Sequence, residues 1–241
     1  MSFDQISALA NRAALYSMLR QDQLVEATEA LGDHRWDVDL AANEFTFQSN
    51  TDPEQKITAV PYLLASIAPG PRSLVWARAL PQGDPSGITE VLAQYGRDYG
   101  IEGFAADEIQ FPEDTGDDIQ EWMAIFAHQL GRAATLVTGK SPYFTAGVGG
   151  SRILLLLDAP LPALTVSEAT TRIPRLMSQA EIPDPRTGLW EAARLAGWKL
   201  EWTDDAFSGA TISDETGNAT FTFDENANIT GITGELRGAS S

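Results

Sequence analysis

The side chains in this sequence that could do chemistry are few, and they gather mainly in two places. Asp33–His34–Arg35, followed by Asp37 and Asp39, is the densest ionisable cluster. Imidazole has its unperturbed pKa near neutrality, so a carboxylate orienting His34 would make it a general base. Asp33, His34 and Asp37 are thus the candidate catalytic residues of a hydrolase-like enzyme. Alternation along a strand works against them, because it puts His34 on one face with Trp36, Val38 and Leu40, and Arg35, Asp37 and Asp39 on the other. The expectation is an ordinary hairpin end with solvated acids. The second place is Asp224-x-Asn226-x-Asn228 with Glu235 twelfth in line, the ligand spacing of a calcium loop. Ile229 stands where such a loop needs glycine, and both flanks read as strands. A β-turn is therefore expected, with weak calcium binding at 224–235 as the alternative.

Other motifs point to structure more than to chemistry. His128 sits on a strongly amphipathic segment, about half a turn off its apolar stripe, and is expected to face solvent. Gly147-x-Gly149–Gly150 lacks a following Lys-Ser/Thr and precedes a strand, so it reads as a hairpin turn instead of a phosphate cradle. Ser141 and Ser151 have no histidine placed to activate them, and no Gly-x-Ser-x-Gly elbow occurs. Of the six Trp, Trp36, Trp76 and Trp122 fit core-facing positions, and an exposed one would be the first binding residue to test.

The elements that must position these residues are legible from periodicity. Residues 3–31 predict a helical segment capped by Asp4 and stopped by Gly32, with a second helix starting near Asp22. Trp36–Leu40, Phe45–Phe47, Ile57–Ala68 and Leu74–Ala79 predict four strands joined by short turns, hence antiparallel. Ser86 caps a helix carrying Ile88, Val91, Leu92, Tyr95 and Tyr99. Glu102–Pro112 reads as a short extended edge. Asp114, Asp117 and Asp118 precede the clearest helix, with Ile119, Trp122, Met123, Phe126, Leu130 and Ala133 on its stripe. Tyr143–Val148 and Arg152–Leu157 form a hairpin across Gly149–Gly150.

After Pro160 and Pro162 the character changes. Thr165-x-x-Glu168 is a capping box whose helix Pro174 bends or ends after two turns. Asp184–Pro185 opens another helix, ended by Gly197. Four short strands follow as a meander. The fold class expected is α+β: an antiparallel sheet of about six strands packed by two amphipathic helices, with an N-terminal helical segment and a C-terminal helix plus β-meander unit. The expected domains are 1–162 and 163–241.

Composition sets the wider bounds. The chain has 241 residues, 43% of them hydrophobic, enough for a sizeable core. The lack of Cys excludes disulfides, thiolate metal sites and a Cys nucleophile. Against 34 acidic residues stand 16 basic ones, a net charge of −18 that repels phosphate backbones and anionic membranes. Direct nucleic-acid and membrane partners are not expected. No apolar run is long enough to span a bilayer, and the N-terminus does not read as a signal peptide, which predicts a cytoplasmic setting.

At Trp36-Asp-Val-Asp-Leu40, the Leu64-Ala-Ser-Ile-Ala-Pro-Gly70 turn, the strand holding Trp76 and Gln94-Tyr-Gly-Arg-Asp-Tyr-Gly100, the chain resembles an uncharacterised bacterial cytoplasmic family, a domain of unknown function, over about residues 30–160. That resemblance implies no activity, cofactor or catalytic residue. Without a catalytic constellation, the reading favoured is a non-enzymatic binding or protein-interaction protein with an acidic surface, needing no cofactor. Its partner would be a protein or a small molecule.

Overall fold

The computed structural model describes residues 2–180 and 182–236. The chain is α+β and divides into two compact units, one of residues 1–10 and 24–160, the other of 11–23 and 161–241. The first two helices, α1 (Ser2–Arg12) and α2 (Ala14–Glu29), are each shared between the units. The helix break lies at Ala13, not near Asp22 where the polar Arg20–Gln21–Asp22 step suggested it. Gly32 stops the segment as expected, with φ +68° and its N–H on the Glu29 carbonyl.

Unit 1 is built on a seven-stranded antiparallel sheet. β1 (His34–Asp39) pairs with β2 (Glu44–Ser49), and β2 pairs with the first residues of the 13-residue β3 (Lys56–Ala68). β3 then pairs with β4 (Ser73–Trp76), which pairs with β5 (Glu108–Gln110). β7 (Ser151–Asp158) runs beside β3 from Val60 to Ile67 and carries β6 (Tyr143–Val148) on its far side. The β6–β7 turn is Gly149–Gly150, both at positive φ, which side-chain-bearing residues adopt only with strain. The 102–112 stretch expected to be extended is partly helical, as α4 (Glu102–Ala105), before β5 begins.

α3 (Ile88–Tyr99) and α5 (Ile119–Thr138) are the two amphipathic helices anticipated. Asp118 caps α5 by accepting from the Gln120 and Glu121 N–H groups, which relieves two of the helix's orphan donors. α5 packs tightly on β6 at Gly131, where a Cβ would lie 2.5 Å from Cγ of Tyr143. Only glycine lets helix backbone and tyrosine ring approach this closely. Trp76, Phe45, Phe104, Leu64, Ile67, Leu74, Leu92 and Met123 are fully buried in this unit.

The alternating face of β1 does not belong to that core. β1 is the edge strand, and Trp36 and Leu40 remain 37% and 42% exposed. Alternation identifies an apolar face but says nothing of what covers it; here the cover is partial. Trp36 stacks on Phe45 at 6.1 Å and meets Phe144 of β6 edge-on at 5.3 Å.

Unit 2 has its own core. Ala14, Leu15 and Leu19 of α2 pack with Val166, Ile173 and Leu176 of α6 (Val166–Gln179), with Leu189 of α7 (Pro185–Ala196), and with Ile212 and Phe221 of the meander. The meander runs in chain order through β8 (Lys199–Trp202), β9 (Gly209–Asp214), β10 (Gly217–Phe223) and β11 (Ile229–Leu236). The Thr165–Glu168 capping box is formed, and α6 runs on through Pro174 to Gln179 instead of stopping there. Proline removes one hydrogen bond, but Ile173 and Leu176 on either side of it are buried, and their packing holds the helix together.

Asp22 of α2 accepts from Arg172 at 2.5 Å and from Arg175 at 2.7 Å. Burial pushes its carboxyl up, but the hydrogen bonds and charges of Arg175 and Arg172 outweigh this and hold it below its ordinary value. A carboxyl whose folded pKa is depressed stabilises the fold fully above the unfolded pKa and stops doing so once pH falls through the folded one. We expect Asp22→Asn to lower stability at neutral pH and to flatten the acid limb of a Tm-versus-pH profile below about pH 4. An unchanged acid limb would show that Asp22 is not a source of it.

Candidate functional site

The most site-like feature of unit 1 follows from the length of β3. Its pairing with β2 ends at Ala59 and its pairing with β4 begins at Ala65. Pro61, Tyr62 and Leu63, between these two partners, line a cavity of about 620 Å³. The rest of its wall comes from the β1–β2 turn (Leu40, Ala41, Asn43) and from residues 82–86. This volume falls in the range of small-molecule sites, and the lining is mainly apolar, as such sites are.

Both rims are tied down. On the turn, Oδ1 of Asp39 accepts from the N–H groups of Ala41 and Ala42 at 2.9 and 3.0 Å. In the 82–86 loop, the carboxylate of Asp84 accepts from the N–H groups of Ser86, Gly87 and Thr89 and from the Thr89 hydroxyl. Burial pushes Asp84 up, but the hydrogen bonds from Ser86 and Thr89 prevail and keep it ionised below its usual range. The Tyr62 ring carries Lys140 Nζ 5.0 Å from its centre, and Lys140 also lies 3.4 Å from Asp158. The Tyr62 hydroxyl, then Asp158, raises the lysine above its ordinary value. The cavity is thus mainly apolar, with the Asp84 carboxylate in its wall and Lys140 over the ring of one wall residue.

The residues singled out from sequence lie elsewhere. Nδ1 of His34 is 2.8 Å from the Gly32 carbonyl, so it donates and the free nitrogen is Nε2. Asp33 accepts from Asn50, while Asp37 pairs in register with Thr46, one strand position beyond the face of His34 and Trp36. The structure does not gather these three around one reacting position. At the β10–β11 turn, Asp224 accepts from the N–H groups of Asn226 and Asn228 and from the Asn228 side chain. These bonds, that of the Asn228 side chain first, hold its carboxyl low. Glu235 pairs with Asn218, at the opposite end of the hairpin. With Phe223 opposite Ile229 as the last pair before the turn, Asn218 and Glu235 lie five positions, roughly 17 Å, along the strand from it. Asp224, Asn226 and Asn228 are together; Glu235 is not with them. Among the described residues, no three of His, Asp and Glu are grouped to hold a metal ion.

The cavity escaped sequence reasoning because its walls come from three separate stretches that no spacing pattern links. The exposed Leu40, which lines the cavity, was the available signal. His128 is exposed, as its place off the apolar stripe predicts. What the sequence did not show is its neighbour on β6: Nδ1 lies 3.1 Å from the Tyr143 hydroxyl.

Among the described residues, no helix is long and apolar enough to cross a membrane. Neither the curated proteins nor the solved structures contain a match to this chain. A family model does match, over residues 7–160, and it ends at the last residue of unit 1 before the chain passes to unit 2. The chain therefore belongs to a family of unknown function (DUF6882).

Proposed function

We propose that this is a binding protein, and that unit 1 takes its ligand into the cavity beside residues 61–63 of β3. The observation that carries the reading is the gap between the two partners of β3, walled by apolar side chains and rimmed by two hydrogen-bonded loops. A pocket with its rim already ordered loses little entropy when occupied. The exposed Leu40 in its wall offers an apolar contact at the opening, which suits a small amphipathic molecule or an apolar peptide side chain. The net charge of −18 argues against nucleic acid as the partner, and the lack of Cys fits a cytoplasmic setting.

The test is a thermal-shift screen with small apolar and amphipathic compounds on the full chain and on Leu40→Glu. Leu40 is exposed, so the change should leave the fold intact while placing a charge at the mouth. A compound at a hundred times its Kd stabilises the wild type by about 2.7 kcal/mol. The expected result is a raised Tm in the wild type and none in Leu40→Glu. Hits that bind Leu40→Glu equally well, or a screen without hits, would rule out the cavity as the binding site.

A further inference from the structure

A second feature of unit 1, separate from the cavity, is a group of cationic and donor side chains between α5 and the β6–β7 hairpin. Tyr143 and Thr145 stand two residues apart on one face of β6, and Arg152 lies opposite Gly147 on the same face. α5 lays His128 and, one turn on, Arg132 against this face. The Arg132 guanidinium bears on the Tyr143 hydroxyl, Nδ1 of His128 is 3.1 Å from that oxygen, and Arg152 donates to Oγ1 of Thr145 at 3.4 Å.

The arrangement has donors and positive charge but no counter-charge. Arg12, Arg78, Arg97, Arg172, Arg175 and Arg194 each hold a carboxylate. Arg132 and Arg152 form no ion pair among the described residues, although acids outnumber bases 34 to 16 in the sequence. The Nε of each is shielded from water and has no hydrogen-bond acceptor. Half-buried guanidinium groups with no counter-charge and an unpartnered Nε are costly to keep, and the cost is offset when an anion occupies the site.

The Tyr143 hydroxyl can donate to Nδ1 of His128, and in that tautomer the imidazole N–H is on Nε2, available to a ligand. Burial, then Arg132, then Arg152 hold His128 below its ordinary pKa, so at neutral pH it is an uncharged donor. The groups bearing on it are Arg132 from its own helix, Tyr143 from β6 and Arg152 from β7, with no carboxylate among them.

We propose that His128, Arg132, Tyr143 and Arg152 form a binding site for a dianionic oxyanion, a phosphate group either free or carried on an organic ligand. Two unpaired guanidinium groups match its charge, and guanidinium and imidazole N–H groups match its acceptor oxygens.

The chain has two histidines, so ring NMR titration of the full protein reads His128 directly, with His34 as internal control. Sulfate, inorganic phosphate and phenyl phosphate are each compared with chloride at equal ionic strength. A bound dianion should raise the His128 pKa by about one unit or more and leave His34 unmoved. A rise with all three anions marks a site for the free oxyanion, and a rise with phenyl phosphate alone marks a site for an organic phosphate. Arg152→Gln and, separately, Arg132→Gln should abolish the effect, with circular dichroism confirming the fold. The proposal is overturned if His128 in the wild type moves no further with any of the three anions than with chloride.

Discussion

Trp76→Ala lowers stability by about 3–5 kcal/mol, the expected cost of emptying a large aromatic site in a well-packed core. Trp76 is completely buried; its Nε1 donates to the Gly103 carbonyl at 2.9 Å, and its ring meets Phe104 edge-on at 5.7 Å. It ends β4 and anchors the 103–104 backbone of α4, so the substitution opens a cavity and strands a carbonyl together. Trp76→Phe separates the two effects, because it retains most of the apolar volume and loses the donor. Its cost should be smaller, about 1–3 kcal/mol. Urea unfolding followed by circular dichroism measures both. A Trp76→Ala variant within about 1 kcal/mol of wild type would be incompatible with this role.

The second large effect concerns a buried acid in unit 2 and is asymmetric. Glu191 is fully buried, whereas its partners Arg12 and Arg194 are 43% and 47% exposed. Nε of Arg12 donates to Oε1 at 3.0 Å and Nε of Arg194 to Oε2 at 2.8 Å. Removing the glutamate lets both guanidinium groups return to water, so Glu191→Leu should cost little. Removing Arg12 leaves a carboxylate in the interior with one of its two cations, and Arg12→Ala should cost about 3 kcal/mol. Adding Glu191→Leu to Arg12→Ala should then recover part of that loss, a sign that only a coupled pair gives in a double-mutant cycle. If Glu191→Leu proved the more damaging single change, the buried charge would not be what makes the site sensitive.

Much of the architecture could be read from periodicity and end signals. The Asp118 cap, the Thr165–Glu168 box, Asp184–Pro185 and the Gly149–Gly150 turn are local chemistry, and each does what its residues dictate. The misreadings share a different cause. Trp36 and Leu40 alternate like core residues, but exposure depends on what lies across from a face, and β1 has a neighbour on one side only. His128 is exposed, as its place off the apolar stripe dictates, but a helical wheel does not know that Tyr143 stands beside it. The break at Ala13 and the continuity of α6 past Pro174 are likewise settled by packing. As for sites, the visible clusters at 33–39 and 224–235 are local in sequence and stay on the surface. The cavity and the Arg132–Arg152 group are assembled across long separations, which no spacing rule reports.

The sharing of α1 and α2 between the units bears on how the chain is made. Residues 11–23 emerge from the ribosome early, yet Leu15 and Leu19 find their cover only in residues from Leu164 onward. For as long as some 140 residues take to be synthesised, roughly ten seconds or more, this short helical segment presents apolar side chains without their final neighbours. A fragment cut at the end of the family match, residue 160, would keep that face bare permanently. The matched region thus contains a helical segment whose core partners lie beyond its end.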